Sequence, residues 1–477
     1  MMKILLIQPD NKSTVGLNNV ALIEPTGLEA IGGSLLNDKH NVRIVDLRAV
    51  GKDPDKYLDN AIKEFKPDAY GFSCSFTPDV YRVLELAKRV KNDYGAKFVF
   101  VGGHHVSVYH IDFNIKEIDA IIIGEGEVTV VELLRAYEAK IPLSKIDGLA
   151  YYDNNSGEQL KTKPRGLIKN ISEAPFFARH LTAEYRKKYY LGIRTSLACI
   201  ETARGCPFKC DFCSVWNFYR GTYRSKSPER VVAELKSIKE DYILVTDDNF
   251  FSDVKRAKII GELVKKAKIK KLYTIQARSD TIVKHPELIK QWKEIGLSNI
   301  FIGFESVDDE TLNDIHKDNS SEMNEKAYYI AKKHDVAVTA SFIVSPSFSK
   351  IDFEKLMNFV KRLKISVPVF SVLTPLPGTK LFNELKNKLT ITDYSYYDLF
   401  HPVLDTLLPT TEFFKEFSNL YKTSYKKLNL RANDVLFVIK YIMMGKMSLD
   451  HMIKLKKSMK SISTPSTYTL PLVVVKS

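Results

Sequence analysis

The first 150 residues alternate short apolar runs with segments of helical periodicity. The apolar runs are rich in β-branched residues and read KILLIQ, NVRIVDL, DAYGFSCS, KFVFVGG and DAIIIGEG. Between them, segments such as DPDKYLDNAIKEF and PDVYRVLELAKRVKNDYG repeat their apolar positions every three or four residues. Strands and helices that alternate in this way form a parallel sheet with helices on both faces. The pattern therefore predicts a doubly wound, Rossmann-like α/β domain over residues 1–150.

A second alternating region follows a polar connection. Residues 151–195 begin with turn formers in DNNSGEQLKTKPRG, so we expect a linker there. From Leu197 onward, runs such as YILVTDDNF, KLYTIQARSD, NIFIGFES and AVTASFIVSP again alternate with helical segments. Five or six strand–helix units fit in this region, fewer than a complete eight-stranded barrel needs. We predict a partial, TIM-type (β/α)6 barrel over residues 196–395 and a mainly helical, basic C-terminal domain over residues 396–477.

Small and polar residues cluster where the N-terminal strands end. The residues that we predict to contact a ligand there are Ser73, Thr77, Gly103, His104, Gly124, Glu125 and Gly126. Ligands of doubly wound sheets bind beyond the carboxyl ends of the strands, where these loops lie. Glycine lets the backbone approach a large planar or phosphate-bearing ligand, although tight turns alone also require it. Three such loops at one edge of a sheet favour a bound ligand.

Three of the five cysteines fall within eight residues, at Cys206, Cys210 and Cys213, in the loop after the first barrel strand. A structural zinc site has four protein ligands, and no fourth Cys or His lies nearby in the sequence. Three thiolates instead suit a [4Fe–4S] cluster whose fourth iron remains open to another ligand. Cys74 and Cys199 lie outside the triplet and are interpreted as small buried residues.

The C-x3-C-x2-C segment resembles the motif of the radical S-adenosylmethionine (SAM) superfamily, with Phe212 at the aromatic position before the last cysteine. The resemblance implies that the open iron binds the amino and carboxylate groups of SAM. Electron transfer then cleaves SAM to methionine and a 5′-deoxyadenosyl radical, which abstracts hydrogen from an unactivated carbon. The implied SAM contacts are Asp248, Arg278 and Glu305 at later strand ends, although the familiar Gly-Gly-Glu is absent near Asp248. Caps or ion pairs are the alternative roles of Arg278 and Glu305, and no catalytic residue is assigned.

The N-terminal domain resembles the cobalamin-binding domain that precedes the barrel in one subgroup of this superfamily. The resemblance rests on Gly102-Gly103-His104 and on Gly124-Glu125-Gly126-Glu127. It implies cobalamin as a further cofactor, although some members keep this domain without binding cobalamin. The D-x-H-x-x-G loop that gives cobalt a histidine ligand is absent, since residues 10–16 read DNKSTVG. We therefore expect no lower histidine ligand of that type, and a packing or capping role for His104.

Composition narrows the class of protein further. With 44% hydrophobic and 27% charged residues in a chain of 477, a disordered or low-complexity protein is excluded. Five cysteines cannot form a disulfide framework. No run reaches the roughly 20 apolar residues that span a bilayer, and the N-terminus has the pattern of a buried strand rather than a secretory signal. We expect a cytoplasmic protein.

The net charge of +14 is concentrated near the C-terminus, where residues 421–477 hold ten Lys and one Arg against two Asp. Such a surface can meet phosphates of lipid or nucleic acid, or simply be solvated. Within this region residues 435–444 form an apolar stretch between Lys-rich flanks. It predicts either an interfacial helix, with the protein peripheral on the inner face of the membrane, or a core helix of the C-terminal domain.

Within the cobalamin subgroup, the chain is similar to enzymes of polyisoprenoid lipids, the archaeal tetraether (GDGT) ring synthases and the hopanoid C-3 methylases. The similar segments are 201–206, 214–220, 223–224 and 397–403. The composition, rich in Lys and Ile, and the missing cobalt-ligand loop favour a ring synthase that joins carbons of isoprenoid chains. The alternative is cobalamin-dependent C-methylation of a hopanoid-like lipid or another small molecule. Either reaction needs an electron donor such as ferredoxin or flavodoxin.

Two other classes fit the sequence less well. The basic tail suggests an RNA-modifying methylthiotransferase, but such enzymes carry a second cluster on three N-terminal cysteines, and residues 1–150 contain only Cys74. Nucleic acid is therefore not expected as a partner. A non-catalytic cobalamin or light sensor has no need of an open iron, so the cysteine triplet argues against it.

Overall fold

The computed structural model describes residues 1–10, 20–317, 319–425 and 449–470, together with Leu436, Ile439, Ile442 and Met443. Two sequence predictions fall largely outside these residues. They concern the loop over residues 11–16, which lacks a cobalt-ligating histidine, and most of the apolar stretch 435–444.

The strands among the described residues are short, and those of the two main sheets are mostly buried. In chain order they are β1 Lys3–Gln8, β2 Ala21–Leu22, β3 Asn41–Asp46, β4 Ala69–Ser73, β5 Phe98–Gly102, β6 Ala120–Ile122, β7 Leu149–Tyr152, β8 Gln159–Lys161, β9 Tyr190–Leu191, β10 Arg194–Thr195, β11 Leu197–Ile200, β12 Ala203–Arg204, β13 Arg224–Ser225, β14 Tyr242–Val245, β15 Leu272–Gln276, β16 Leu297–Glu305, β17 Ala337–Val344 and β18 Val367–Val372.

Amphipathic helices connect these strands and cover the sheets. They are α1 Thr26–Asn37, α2 Pro54–Phe65, α3 Val80–Tyr94, α4 His104–Val108, α5 Gly126–Glu138, α6 Val215–Phe218, α7 Pro228–Ser237, α8 Val254–Lys266, α9 Ser279–Lys284, α10 Pro286–Glu294, α11 Asp309–Asp314, α12 Ser321–Lys333, α13 Lys350–Leu363, α14 Lys380–Leu385, α15 Thr410–Tyr425 and α16 Leu449–Ile462. No helix among the described residues combines the length and apolarity required to cross a bilayer.

The N-terminal domain is the predicted doubly wound sheet. Its order is β3-β1-β4-β5-β6-β7-β8, and the first five strands in this order are parallel to one another. Apolar side chains of α1 and α5 pack on one face, and those of α2 and α3 pack on the other. The strand order reverses between β1 and β4, which is where ligands of such sheets bind.

The second domain is the predicted partial barrel. Its six strands are all parallel and lie in the order β11-β14-β15-β16-β17-β18. The carboxyl ends of these strands form one rim, and the cysteine loop lies between β12 and α6 on that rim. The predicted fold class is therefore confirmed.

The connections differ in detail from the sequence prediction. The hairpin of β7 and β8 adds two antiparallel strands to the first sheet, so this sheet extends to Lys161 and into the predicted linker. The rest of the linker contains a 3-10 helix at Arg179–Lys188, which packs against β3. Phe413, Phe417 and Tyr468 from the C-terminal region belong to the same apolar core as the barrel helices. Because these aromatic side chains need a partner surface, the described part of the C-terminal region packs onto the barrel.

Candidate functional site

The cysteine loop is held in place at its first residues by backbone geometry. Gly205 has φ of +87°, and a side chain there would collide with the carbonyl of Thr222. Its N–H donates to Asp248 Oδ2 at 3.2 Å. Only glycine can adopt this positive φ and leave room for the Thr222 carbonyl without strain. The turn into Cys206 therefore depends on Gly205.

The three thiols of the loop are partly buried. The Cys213 N–H donates to the carbonyl of Cys210, which closes the second half of the loop into a turn. Burial raises the pKa of Cys206 and raises that of Cys213 to about 12, and Asp248 adds to both shifts. A metal cation that binds such thiols favours their thiolate form and so opposes these shifts. Three soft donors on one loop suit a [4Fe–4S] cluster with one free iron.

Arg278 lies directly against this loop. Its guanidinium stacks on the ring of Phe208, between the first two cysteines, at 3.6 Å. Nε also donates to Asp280 at 3.0 Å, and Nη2 donates to the carbonyl of Lys317 at 2.8 Å. Sequence reasoning placed Arg278 at the site but did not identify Phe208 as its support. A separate motif residue, Phe212, is half-buried in the loop, and its role remains a prediction.

Glu305 forms a buried ion pair, which is the alternative role that the sequence offered, with a partner that the sequence did not identify. Its carboxylate accepts from Lys317 Nζ at 2.8 Å, and the two side chains are 9% and 11% exposed. Although burial opposes the charge, Glu305 raises the pKa of Lys317, which also lies near the thiol of Cys210. Glu305 itself adopts a left-handed φ of +61°. We therefore add Lys317 to the predicted SAM contacts. Its pairing with Glu305 could not be predicted from a local sequence pattern, because the two residues lie 12 positions apart.

The two aspartates after β14 have different surroundings. Asp247 is fully buried and accepts from the backbone N–H and the hydroxyl of Thr202, so it supports the fold around the loop. Asp248 is half-buried beside Cys206, and burial together with Asp247 raises its pKa to about 6. Asp248 therefore remains the predicted contact for the amino group of SAM.

A cavity of about 210 Å³ lies at the carboxyl edge of the N-terminal sheet, between the two domains. Six of the seven ligand contacts predicted in this domain line it, namely Ser73, Gly103, His104, Gly124, Glu125 and Gly126. Thr77 is not among the lining residues, because it is buried with its hydroxyl 3.1 Å from His105 Nδ1. The opposite wall comes from the barrel, through Glu201, Arg204, Phe218 and Tyr219.

The cavity has the backbone character that a large cofactor requires. Gly27 and Gly124 both line it, and an added Cβ at either position would meet no atom within 4 Å. Gly124 also has φ of +88°, which other residues rarely adopt. These positions form an open cradle that side chains would fill, so the residues present fit cobalamin.

Two of the cavity residues are already engaged by the barrel. His104 Nε2 lies 2.7 Å from Ser214 Oγ, and its ring stacks on Phe218 at 4.8 Å. Glu125 is 4% exposed and pairs with Arg204 and Arg224 at 2.7 and 3.0 Å. Against the cost of burial, these two arginines hold the pKa of Glu125 below its usual value. The expected packing role of His104 agrees with this geometry, and a direct contact of Glu125 with a cofactor remains a prediction.

Family comparison assigns both domains. The radical SAM superfamily matches residues 200–360, which include the cysteine loop and β14 to β17. The B12 binding domain matches residues 13–134, the region that carries the glycine loops.

Relatives and solved structures agree with this assignment. The hopanoid C-3 methylase of Methylococcus capsulatus is 32% identical over 414 residues, covering 85% of this chain and 77% of the relative. An uncharacterized methyltransferase of Pyrococcus horikoshii is 31% identical and covers 90% of this chain and 93% of the relative. The cobalamin-dependent SAM radical enzyme OxsB, solved with aqua-cobalamin and SAM bound, shares the fold with a TM-score of 0.69 at 15% identity. That match covers 98% of this chain and 76% of OxsB. The chain therefore belongs to the radical SAM enzymes that carry an N-terminal B12-binding domain, and a [4Fe–4S] cluster and SAM are among its cofactors.

Proposed function

We propose that this protein is a cobalamin-dependent radical SAM methyltransferase that acts on an unactivated carbon of an isoprenoid-derived lipid. The carrying observation is the shared wall of the interdomain cavity. Arg204 precedes the first cysteine by two residues, Phe218 follows the last by five, and both line the cavity beside the glycine loops. Cobalamin in this cavity would lie beside the cluster loop, as a methyl transfer to a substrate radical requires.

Residues of the barrel rim and residues of the interdomain cavity would have different roles in this reaction. Cys206, Cys210 and Cys213 would hold the cluster, while Asp248 and the Glu305–Lys317 pair would orient SAM. When bound, the cluster and SAM supply a radical that takes hydrogen from the substrate, and cobalamin supplies the methyl group. With the cofactors bound, the loops around the cavity would limit the access of bulk water and would hold the reactants relative to one another.

Methylation is preferred to ring formation because the relatives reported above are methylases or methyltransferases. The sequence-based preference for a tetraether ring synthase rested on composition and on a missing loop, and no structural observation adds to it. The hopanoid C-3 methylase supports a polycyclic isoprenoid lipid as the substrate class.

A lipid substrate also suits the surface of the C-terminal region. Leu436, Ile439 and Met443 follow helical spacing and are 62%, 49% and 83% exposed. On α16, Ile453 is 53% exposed, and the lysines at 456, 457 and 460 share its face. Apolar side chains beside lysines favour contact with anionic lipid headgroups. We include peripheral membrane binding and a ferredoxin- or flavodoxin-type electron donor in the proposal.

The proposal is tested by mass spectrometry of lipids from cells that make isoprenoid precursors, assemble iron–sulfur clusters and lack a homologue. Expression with cobalamin and methyl-deuterated methionine is expected to add one labelled methyl group per modified lipid. The Cys210→Ala protein, expressed equally, is the control without a complete cluster. Loss of two hydrogens per event would instead establish ring closure or desaturation. An unchanged lipid profile would contradict a lipid substrate.

A further inference from the structure

The N-terminal end of the cysteine loop is attached to the B12-binding domain by a buried ion-pair cluster. Arg204 uses three nitrogens, which lie 2.8 Å from Glu201, 2.7 Å from Glu125 and 2.6 Å from Glu127. Arg204 is 6% exposed, so water does not compete for these bonds. Hydrogen bonds between ionised groups in this environment are strong and geometrically specific. Since Arg204 is two residues from Cys206, the first cysteine is positioned relative to the loop that follows β6.

The other end of the loop is attached to the same domain through His104. Its Nε2 shares a hydrogen bond of 2.7 Å with Ser214, the residue directly after Cys213. The ring also stacks on Phe218 in α6, with planes inclined by 17°. Burial lowers the pKa of His104 to about 4, so the imidazole is neutral at physiological pH and this contact carries no charge. The last cysteine is therefore positioned relative to the loop that follows β5.

The residues that make both attachments also line the cavity. His104, Glu125, Glu127 and Arg204 all contribute to its wall. We propose that His104 and the Glu125–Glu127–Arg204 ion pairs are positioning residues, which transmit the occupancy of the cavity by cobalamin to the cluster. This inference rests on the proposed binding of cobalamin in the cavity. A corrin that fills the space restricts the two loops, and the loops restrict the ends of the cluster-bearing segment.

The physical basis is the sensitivity of a cluster to its surroundings. Hydrogen bonds near the sulfurs, burial and solvent exposure set the reduction potential of iron–sulfur clusters. A change at either end of the Cys206–Cys213 segment alters these quantities without removing a ligand. In the full protein, the cluster potential is expected to shift when cobalamin binds.

The test measures the midpoint potential of the cluster in the full reconstituted protein, with and without hydroxocobalamin. Mössbauer spectroscopy of iron-enriched protein follows the reduction, because it detects iron and not cobalt. The variants are His104→Ala and the milder Ser214→Ala, with the double variant to complete a cycle. His110→Ala is the matched control, since His110 is a half-buried histidine of the same domain that contacts Gln159 instead. Iron content and cobalamin absorbance are measured for each protein.

We expect hydroxocobalamin to shift the wild-type potential, and His104→Ala and Ser214→Ala each to lose at least half of that shift. The double variant should lose no more than either single one, and His110→Ala should behave as wild type. Without cobalamin, the potentials of both single variants should already differ from wild type. Failure of wild type to bind hydroxocobalamin would refute the proposed function, and the cobalamin-free comparison would still test the attachment. Variants with wild-type potentials in both states would overturn the inference.

Discussion

Cys210 and Cys199 differ in solvent exposure, and this difference predicts different roles for the two thiols. Cys210 lies in the half-exposed loop between Phe208 and Phe212, whereas Cys199 is fully buried on β11. Replacing Cys210 by Ala is expected to lower cluster content and to abolish SAM cleavage, because one iron loses its thiolate. Cys199→Ala should retain both properties. Iron per protein and release of 5′-deoxyadenosine measure the difference, and cleavage by Cys210→Ala would contradict the cluster assignment.

Lys317 offers a second test at the residue scale. Replacing it by Met leaves the buried Glu305 carboxyl group without its 2.8 Å partner, next to the cysteine loop. Breaking a buried pair in this way is costly, so we expect SAM affinity to fall by roughly tenfold or more. Lys380→Met is the control, because Lys380 is half exposed and pairs with Asp211 instead of Glu305. Isothermal titration with SAM measures both variants, and equal affinities would remove Lys317 from the site.

At the scale of elements, two glycines with positive φ allow the effect of a side chain on cofactor binding to be distinguished from its effect on backbone strain. Gly124 ends the turn after β6 and Gly95 caps α3, with φ of +88° and +60°. An added Cβ meets no atom within 4 Å at either position, so each Gly→Ala change costs about 1 kcal/mol in backbone strain. Only Gly124→Ala places a methyl group in the cavity. We expect it alone to weaken hydroxocobalamin binding, measured by absorbance titration, and equal binding by both variants would contradict the cavity assignment.

Helix α1 carries a buried carboxylate that makes stability depend on pH. Burial raises the pKa of Glu29 from 4.5 to about 7, and Thr182 of the linker donates to it at 2.5 Å. The folded state therefore holds this proton where the unfolded state releases it, and stability falls as pH rises from about 4.5 to about 7. Glu29→Gln should remove up to about 3 kcal/mol of this loss. Urea unfolding at pH 5 and pH 8 measures this loss of stability. Glu64→Gln is the control, because Glu64 is exposed. If Glu29→Gln leaves the pH dependence of stability unchanged, the assignment to Glu29 is contradicted.

At the scale of the whole molecule, the exposed lysines of α16 test the membrane proposal. Replacing Lys456, Lys457 and Lys460 by Gln should weaken binding to anionic vesicles by more than tenfold, at about 1 kcal/mol per lysine near the surface. Substitution is preferable to deletion of residues 432–477, because Ile462 and Tyr468 belong to the barrel core. The control replaces Lys266, Lys268 and Lys270, three exposed lysines in the segment that leads from α8 into β15. Equal sedimentation of both triple variants with vesicles would refute the proposed surface.

The domain interface also belongs to this scale, and it shows why part of the site was not predictable. Glu125 and Arg204 are separated by 79 residues, and His104 and Ser214 by 110. A sequence pattern shows only periodicity and local spacing. It therefore predicts the loop to which each of these residues belongs, but not the partner that the residue contacts in the other domain. Their partnership arises because two sheets present their carboxyl edges to each other.

The sequence by itself determined the two α/β folds, the cysteine motif and the glycine loops. Apolar periodicity determines strands and helices, and the spacing of Cys206, Cys210 and Cys213 lies within one loop. Only the tertiary structure decided that the β7–β8 hairpin joins the first sheet, that Lys317 pairs with Glu305 and that the C-terminal aromatic residues pack into the barrel core. It also decided that both ends of the cysteine loop contact the B12-binding domain. The physical reason is that burial and ion pairing act between residues that meet only after the chain has folded.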